Sequence, residues 1–160
     1  MSLSTYVTDA AALGTGLLLA RLVLGVMMVA HGGQKLFVFG VPGVSAGFAQ
    51  MGIPMPGLLG PFVALVEFFG GIAIVLGFLT RLAALGLAST MVVAILTVHL
   101  KAGFFNPGGV EFPLSLLAAA ATLVITGAGA FSVDAVLGRR SSKTQTVSLQ
   151  TSPSSQRKAA

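Results

Sequence analysis

The sequence predicts an all-α fold: an integral membrane four-helix bundle with a disordered basic C-terminal tail. Three observations predict this class. Hydrophobic residues make up 55% of the 160 residues and charged residues only 8%, against about 25% charged in a typical soluble domain. Four apolar stretches approach the roughly 20 helical residues that cross a bilayer core. These stretches are continuously apolar rather than alternating, which favours helices over strands.

The four stretches divide the chain into three parts. Residues 1–12 form a short, weakly polar leader, residues 13–137 the four-helix membrane domain, and residues 138–160 the tail. The only charged residue before the first apolar stretch is Asp9, and no A-x-A cleavage pattern follows that stretch. We therefore expect the first helix to be retained rather than removed as a signal peptide. The predicted membrane spans are residues 13–39, 58–79, 82–100 and 112–131.

The connections between the predicted helices differ in length. The first, residues 40–57, is rich in Gly and Pro, and residues 44–51 within it are predicted to form a short helix at the membrane interface. The second is a tight turn at Thr80-Arg81, which makes the second and third helices antiparallel neighbours. The third contains Asn106-Pro-Gly-Gly, a strong turn signal. After Asp134 the chain is rich in Ser, Thr, Gln and basic residues, a composition that cannot bury apolar area.

The positive charge is concentrated at the C-terminus. The formal net charge is +5, and five of the nine basic residues lie in the last 22 residues. A basic tail after a membrane helix indicates topology and contact with anionic lipid rather than binding to nucleic acid. With four spans, both termini share one side with Arg81, and that side holds six Lys and Arg residues against Lys35 and Lys101 opposite. We therefore expect a plasma (inner) membrane protein with both termini in the cytoplasm.

Ionisable residues inside the predicted spans are few, and each needs a partner because a charge at the bilayer centre costs about 2.5–3.5 kcal/mol on insertion scales. They are Arg21 and His31 in the first helix, Glu67 in the second and His99 in the third. At about 1.5 Å of rise per residue, Arg21 lies roughly 10 Å and Glu67 roughly 13 Å from opposite faces of the membrane. The sequence therefore predicts a buried structural ion pair between Arg21 and Glu67.

Five ionisable positions are predicted to converge on one interior channel. Arg21 and Lys35 are fourteen residues apart, and His31 and Lys35 are four apart, so all three share one face of the first helix. The candidate ligand-binding residues are Arg21, His31, Lys35, Glu67 and His99. A structural interpretation stays open: the Arg–Glu pair would only hold two helices in register, and Lys35 and Lys101 would be interfacial anchors.

The chain has few means of binding a metal or redox cofactor. It contains no Cys, so it supplies no disulfide, thiol nucleophile, thiolate metal site or iron–sulfur ligand. No metal site is predicted. His31 and His99 offer haem iron two ligands, but haem is the less favoured cofactor because no further motif supports it. Histidines at such positions more often relay protons or bind a carboxylate.

The order of several short motifs resembles the DoxX family of small four-helix membrane proteins. The motifs are Arg21-Leu-x-x-Gly25, His31-Gly-x-Gln-Lys35, Gly52-Ile-Pro-x-Pro, Glu67-x-x-Gly-Gly71, Gly77-x-x-Thr-Arg81 and Gly127-x-Gly129-x-Phe-Ser-Val-Asp134. The resemblance covers about residues 16–137 and leaves out the leader and the tail.

The resemblance implies a fold and a redox setting more than a reaction. The family includes a membrane subunit of an archaeal thiosulfate:quinone oxidoreductase, and other members are linked to redox stress. Arg21, Lys35, Glu67 and Arg81 match the family's characteristic polar positions. Because the chain has no Cys, any sulfur substrate would need a partner, a cofactor or noncovalent binding.

Three functions are consistent with these features. The first is a membrane subunit of a quinone-linked redox or oxidative-stress system, in which Arg21, His31 or Lys35 donates to the quinone and Glu67 carries protons. The second is a noncatalytic scaffold that holds soluble redox enzymes at the membrane through the basic tail. The third is a small proton-coupled transporter, which would need a homo-oligomer. The expected partners are the lipid bilayer, redox-enzyme subunits and further copies of the chain.

Overall fold

The computed structural model describes residues 3–105 and 107–138, with side chains from residue 11 onward. These residues contain helices and turns and no strand. Two π-helical segments, Gln34–Phe39 and Ile95–His99, extend the first and the fourth helix, and a 3-10 turn spans Leu100–Ala102. The α-helices are α1 (Leu3–Gly33), α2 (Gly40–Gln50), α3 (Pro56–Leu76), α4 (Thr80–Ala94), α5 (Glu111–Thr126) and α6 (residues 133–138).

The predicted four-helix membrane bundle is confirmed. Three helical stretches are long and apolar enough to cross a membrane, namely Ala11–Gln50, Pro56–Leu76 and Thr80–Ala102, and Glu111–Thr126 is a shorter apolar helix. Helix α1 begins inside the predicted leader. The predicted disordered tail lies outside the described residues, apart from residue 138, which ends α6.

Helix α3 is the central element of the bundle. It packs along α1, α2 and α4, and α5 completes the bundle against α4 and, to a lesser extent, α1. The core between these helices is apolar and tightly filled. Its most deeply buried hydrophobic side chains are Leu24 and Met28 of α1, Ile74 of α3, Leu87 of α4 and Leu123 of α5.

Glycines set the distance between α1 and α3. A β-carbon at Gly25 would lie 2.8 Å from the carbonyl oxygen of Gly71, and one at Gly32 would lie 2.4 Å from the amide nitrogen of Phe68. Small residues allow helix backbones in a membrane to approach this closely, where packing replaces the hydrophobic effect as the source of affinity. The two contacts fix the register of α1 against α3.

The predicted tight turn between the second and third membrane helices is confirmed. Gly77 (φ +67°) ends α3 and Leu79 (φ +46°) precedes α4, so two left-handed residues reverse the chain. A helix is also found where a short one at residues 44–51 was expected, but α2 begins four residues earlier and ends at Gln50, and its buried Val44 packs against Gly60 of α3. The fourth span is shorter than predicted, because α5 ends at Gly127 (φ +79°).

Candidate ligand site around Lys35 and Glu67

Glu67 forms the ion pair of this site with Lys35. The Glu67 side chain projects from the middle of α3 and is only 4% exposed, while Lys35, in the first π segment, is 24% exposed. The Lys35 ammonium donates to Oε2 of Glu67. A buried carboxylate is thereby neutralised by a cation that retains partial access to its surroundings.

The predicted ion pair between Arg21 and Glu67 is wrong. Arg21 is 1% exposed, and its guanidinium donates to four backbone carbonyls instead. Two belong to the last turn of α3, Ile74 (3.2 Å) and Val75 (3.4 Å), and two follow α5, Ala128 and Phe131 (2.9 Å). The last carbonyls of a helix have no partner within the helix and carry partial negative charge, so a buried guanidinium with five donors stabilises them.

The register of α1 against α3 explains why Arg21 and Glu67 do not pair. The estimate of depth left an offset that an arginine side chain could span, but contact between Gly25 and Gly71 aligns Arg21 with Ile74 and Val75. Glu67 lies seven residues before Ile74, which is about 10 Å along the axis at 1.5 Å per residue. Arg21 therefore lies towards the opposite end of the bundle from Lys35 and lines neither of the cavities that contain Glu67.

Asp134 lies at the end of the bundle that also holds Arg21 and the turn from α3 to α4. Its carboxylate accepts from the backbone N–H groups of Leu79 (2.8 Å) and Thr80 (3.0 Å) at the start of α4. Burial opposes ionisation of this group, but these hydrogen bonds and the charge of Arg21 outweigh it, so the pKa of Asp134 lies below its ordinary value. The motif ending in Asp134 marked this residue in the sequence, without showing its role.

Four of the five predicted ligand-binding residues do converge. His31, Lys35, Glu67 and His99 border one cavity of about 210 Å³, named here the histidine chamber, between α1, α4 and α5. Their role in binding a ligand stays a prediction. Within the described residues, no group of three or more His, Asp or Glu side chains is placed to hold a metal ion. The other residues lining the histidine chamber are Met28, Met91, Ala94, Phe112, Pro113 and Leu116.

The two histidines are held by different contacts. Nδ1 of His99 lies 2.7 Å from the carbonyl oxygen of Gly108. Because a carbonyl only accepts, Nδ1 carries a proton, and Nε2 of the neutral ring is left as an acceptor. The His31 ring packs on Phe112 with centroids 5.8 Å apart. His31 itself is exposed, so the chamber reaches the surface at the site end of the bundle, the end that holds Lys35, His99 and the first turn of α5.

A second cavity lies on the other side of the ion pair. This pair cavity, about 170 Å³, also contains Lys35, Glu67, Ala94 and His99, and it is closed by residues of α2, α3 and α4. It adjoins an apolar groove of about 420 Å³ between α3 and α4, with which it shares five lining residues. The sequence did not indicate this adjacency. The residues that line both the pair cavity and the groove are Phe48, Ile53, Val63, Thr90 and Val93.

Comparison with known proteins identifies a family and several relatives. The family model described as DoxX matches residues 16–100. The chain is 33% identical over 119 residues to "Putative oxidoreductase CatD" of Bacillus subtilis, covering 74% of this chain and 84% of the relative. It is 35% identical over 126 residues to "Inner membrane protein YqjF" of Escherichia coli, covering 78% and 94%. No solved structure matches the chain significantly.

The helical bundle, the ordered motifs and these matches agree over most of the membrane domain. The family match includes Arg21, Lys35, Glu67 and Arg81, and the named relatives from Escherichia coli are inner membrane proteins. The chain is a membrane protein and belongs to the DoxX family.

Proposed function

We propose that this chain is the quinone-binding membrane subunit of an oxidoreductase in the plasma membrane. The observation that carries the proposal is the adjacency of an apolar groove and a charged cavity. The groove between α3 and α4 shares five lining residues with the pair cavity, which contains Lys35 and Glu67. A quinone has the matching form, with an apolar isoprenoid tail and a head group whose carbonyl oxygens accept hydrogen bonds.

The two parts of the site suit the two parts of such a molecule. The groove is walled by aliphatic and aromatic side chains, including Phe48 and Phe62, and offers little beyond hydrocarbon. Mostly apolar pockets with a few well-placed polar groups are typical of small-molecule sites. In the pair cavity, Lys35 is a donor for a quinone oxygen and Glu67 is a carboxyl that can exchange a proton with it.

The electrons have to come from a partner. The chain contains no Cys, and we expect a soluble redox-enzyme subunit to be the reductant. In the proposed reaction the quinone takes two electrons from that subunit and two protons from water, at least one through the Glu67 carboxyl, and becomes a quinol. The name of the relative CatD contains the word oxidoreductase, which supports a redox setting for this chain.

Native mass spectrometry of the protein released from membranes in mild detergent tests binding first. A stoichiometric quinone-sized adduct on the chain is the expected result, and the same spectrum reports the oligomeric state and any retained redox subunit. A chain that carries a soluble partner but no quinone would support the scaffold function instead. A ligand-free oligomer without a partner would remove the basis for quinone binding and favour transport.

Glu67→Gln tests the proton role. Glutamine keeps an oxygen that accepts from Lys35 but cannot exchange a proton at neutral pH, so we expect the variant to fold, to retain the quinone and to lose quinone turnover. Glu111→Gln is the matched control, because Glu111 begins α5 at the site end and lines neither cavity. Full turnover in Glu67→Gln would contradict the role given to this carboxyl.

A further inference from the structure

We propose that the histidine chamber is an aqueous passage through which Glu67 exchanges protons with the medium at the site end of the bundle. The proposal rests on the proposed function for the quinone itself, but the passage is a property of the structure that can be tested without a quinone. It assigns the two faces of the Lys35–Glu67 pair to two different environments, lipid on the groove side and water on the chamber side.

The first argument is the position of the ion pair. Lys35, Glu67, Ala94 and His99 line both the pair cavity and the histidine chamber, so the ion pair borders both spaces. The pair cavity adjoins an apolar groove in the side of the bundle. The chamber lies towards α5 and reaches Phe112 and Pro113 in its first turn, where exposed His31 packs on Phe112.

The second argument is the chemistry of the chamber wall. A buried water needs two to four polar partners and about 30 Å³ of space, and the chamber of about 210 Å³ provides both. Its polar groups are His31, Lys35, Glu67 and His99. Since the Gly108 carbonyl engages Nδ1 of His99, Nε2 of the neutral ring is an acceptor for a water hydrogen. The groove side adds the hydroxyls of Ser89, Thr90 and Thr97 to the shared groups, but each of these hydroxyls donates its hydrogen to a backbone carbonyl three or four residues earlier.

The proton balance follows from this arrangement. A proton from chamber water binds the Glu67 carboxylate, while Lys35 keeps its charge. The neutral carboxyl then gives the proton to a quinone oxygen that is being reduced by the partner subunit, and the carboxylate and its ion pair are restored. Because the two exchanges occur on opposite sides of the pair, the quinone does not have to leave for Glu67 to be reprotonated.

Cysteine accessibility tests the passage directly, because the chain has no Cys of its own. Met91→Cys places a thiol in the chamber. Leu87→Cys is the matched control, because Leu87 lies one turn earlier in α4 and is fully buried in the core. Thiolates form in water and are suppressed in apolar surroundings, so a membrane-impermeant cationic methanethiosulfonate should modify Met91→Cys at least ~10-fold faster than Leu87→Cys. Ser89→Cys, in the groove, should react with the cationic reagent as slowly as Leu87→Cys, because the apolar surroundings suppress its thiolate.

The side of access is part of the test. Modification of Met91→Cys should occur from the same membrane face as that of Lys101→Cys, which is exposed at the site end, and not from the opposite face. A reaction as slow as that of Leu87→Cys from both faces would overturn the proposal. If Met91→Cys does not fold, Pro113→Cys, on the α5 wall of the chamber, decides in its place.

A second measurement separates this inference from the proposed function. Met91→Cys carrying the attached reagent should retain bound quinone in native mass spectrometry while losing most of its quinone turnover, because the proton path is filled and the groove is not. Turnover unchanged by modification would show that protons take another route. Absence of bound quinone in the unmodified protein would refute the proposed function and leave the accessibility result standing.

Discussion

Lys35 and His99 each lie in a π-helical segment, and both line the two cavities that meet at Glu67. The segments extend two different helices, Gln34–Phe39 after α1 and Ile95–His99 after α4. π-helical turns are rare and are frequently found at functional sites. An ion pair that only held two helices together would not require this backbone geometry at two separate places, so the coincidence favours a ligand site.

The Lys35–Glu67 pair should contribute to stability mainly by preventing an unpaired buried charge. We expect Lys35→Met to lower the free energy of unfolding by about 3 kcal/mol, since it leaves the Glu67 carboxylate buried without its cation. The double variant Lys35→Met/Glu67→Leu should recover most of that loss, because apolar replacement of both partners is often neutral. Denaturation in detergent of Lys35→Met, of Glu67→Leu and of the double variant measures the coupling energy between the two side chains. A double variant as unstable as Lys35→Met would contradict this account.

Arg21 should be irreplaceable even by lysine. Lysine offers three donors on a point charge, whereas the guanidinium fork meets four carbonyls from two segments of the chain. We expect Arg21→Lys to lower the free energy of unfolding by about 3 kcal/mol, because hydrogen bonds to charged groups contribute about 1.5–3 kcal/mol each. Arg81→Lys is the control: Arg81 is exposed and donates a 3.3 Å hydrogen bond to the carbonyl oxygen of Ile125. Equal stability of the two variants would show that Arg21 does not anchor this end.

The adjacent glycines of α3 should respond oppositely to alanine. A β-carbon at Gly71 would lie 2.7 Å from the Val29 nitrogen of α1, whereas one at Gly70 would lie 3.4 Å from the Leu87 side chain. Gly71→Ala should cost about 1–3 kcal/mol because the helices must separate. Gly70→Ala should be neutral or stabilise by up to about 1 kcal/mol, since Gly weakens a helix interior. Thermal unfolding in one detergent compares them, and a tolerated Gly71→Ala would place the α1–α3 contact elsewhere.

Because of Asp134, the stability of the protein should depend on pH in the acid range. The pKa of Asp134 is lowered in the folded protein. Above the unfolded-state pKa of about 3.9, the carboxylate therefore makes its full contribution to the free energy of unfolding, and this contribution is lost as the pH falls through the lower folded-state pKa. We expect Asp134→Asn to unfold more easily at neutral pH, by about 1 kcal/mol, because its amide keeps one acceptor oxygen but loses the other hydrogen bond. The variant should also lack this part of the acid dependence. The check is to measure the free energy of unfolding of the unaltered protein and of Asp134→Asn from about pH 2 to pH 7. If the two curves of stability against pH run parallel, the carboxylate does not have this role.

The membrane bundle and its few ionisable residues could be predicted from the sequence alone. Continuous apolar stretches of sufficient length allow only helices in lipid, and an ionisable residue inside such a stretch is costly enough to be noticed. The helical period also placed His31 and Lys35 on one face, and in the structure they share the histidine chamber with Glu67 and His99.

The identity of the cation that binds Glu67 could not be predicted from the sequence and depends on how the helices pack. Residue counting gives a position along one helix but not the register between two, and here that register comes from glycine contacts between α1 and α3. Nor does local pattern show that carbonyls at Ala128 and Phe131, more than 100 residues away, are the partners of Arg21. The adjacency of the groove and the pair cavity likewise depends on how α2, α3 and α4 pack, which is a property of the assembled bundle rather than of any one segment.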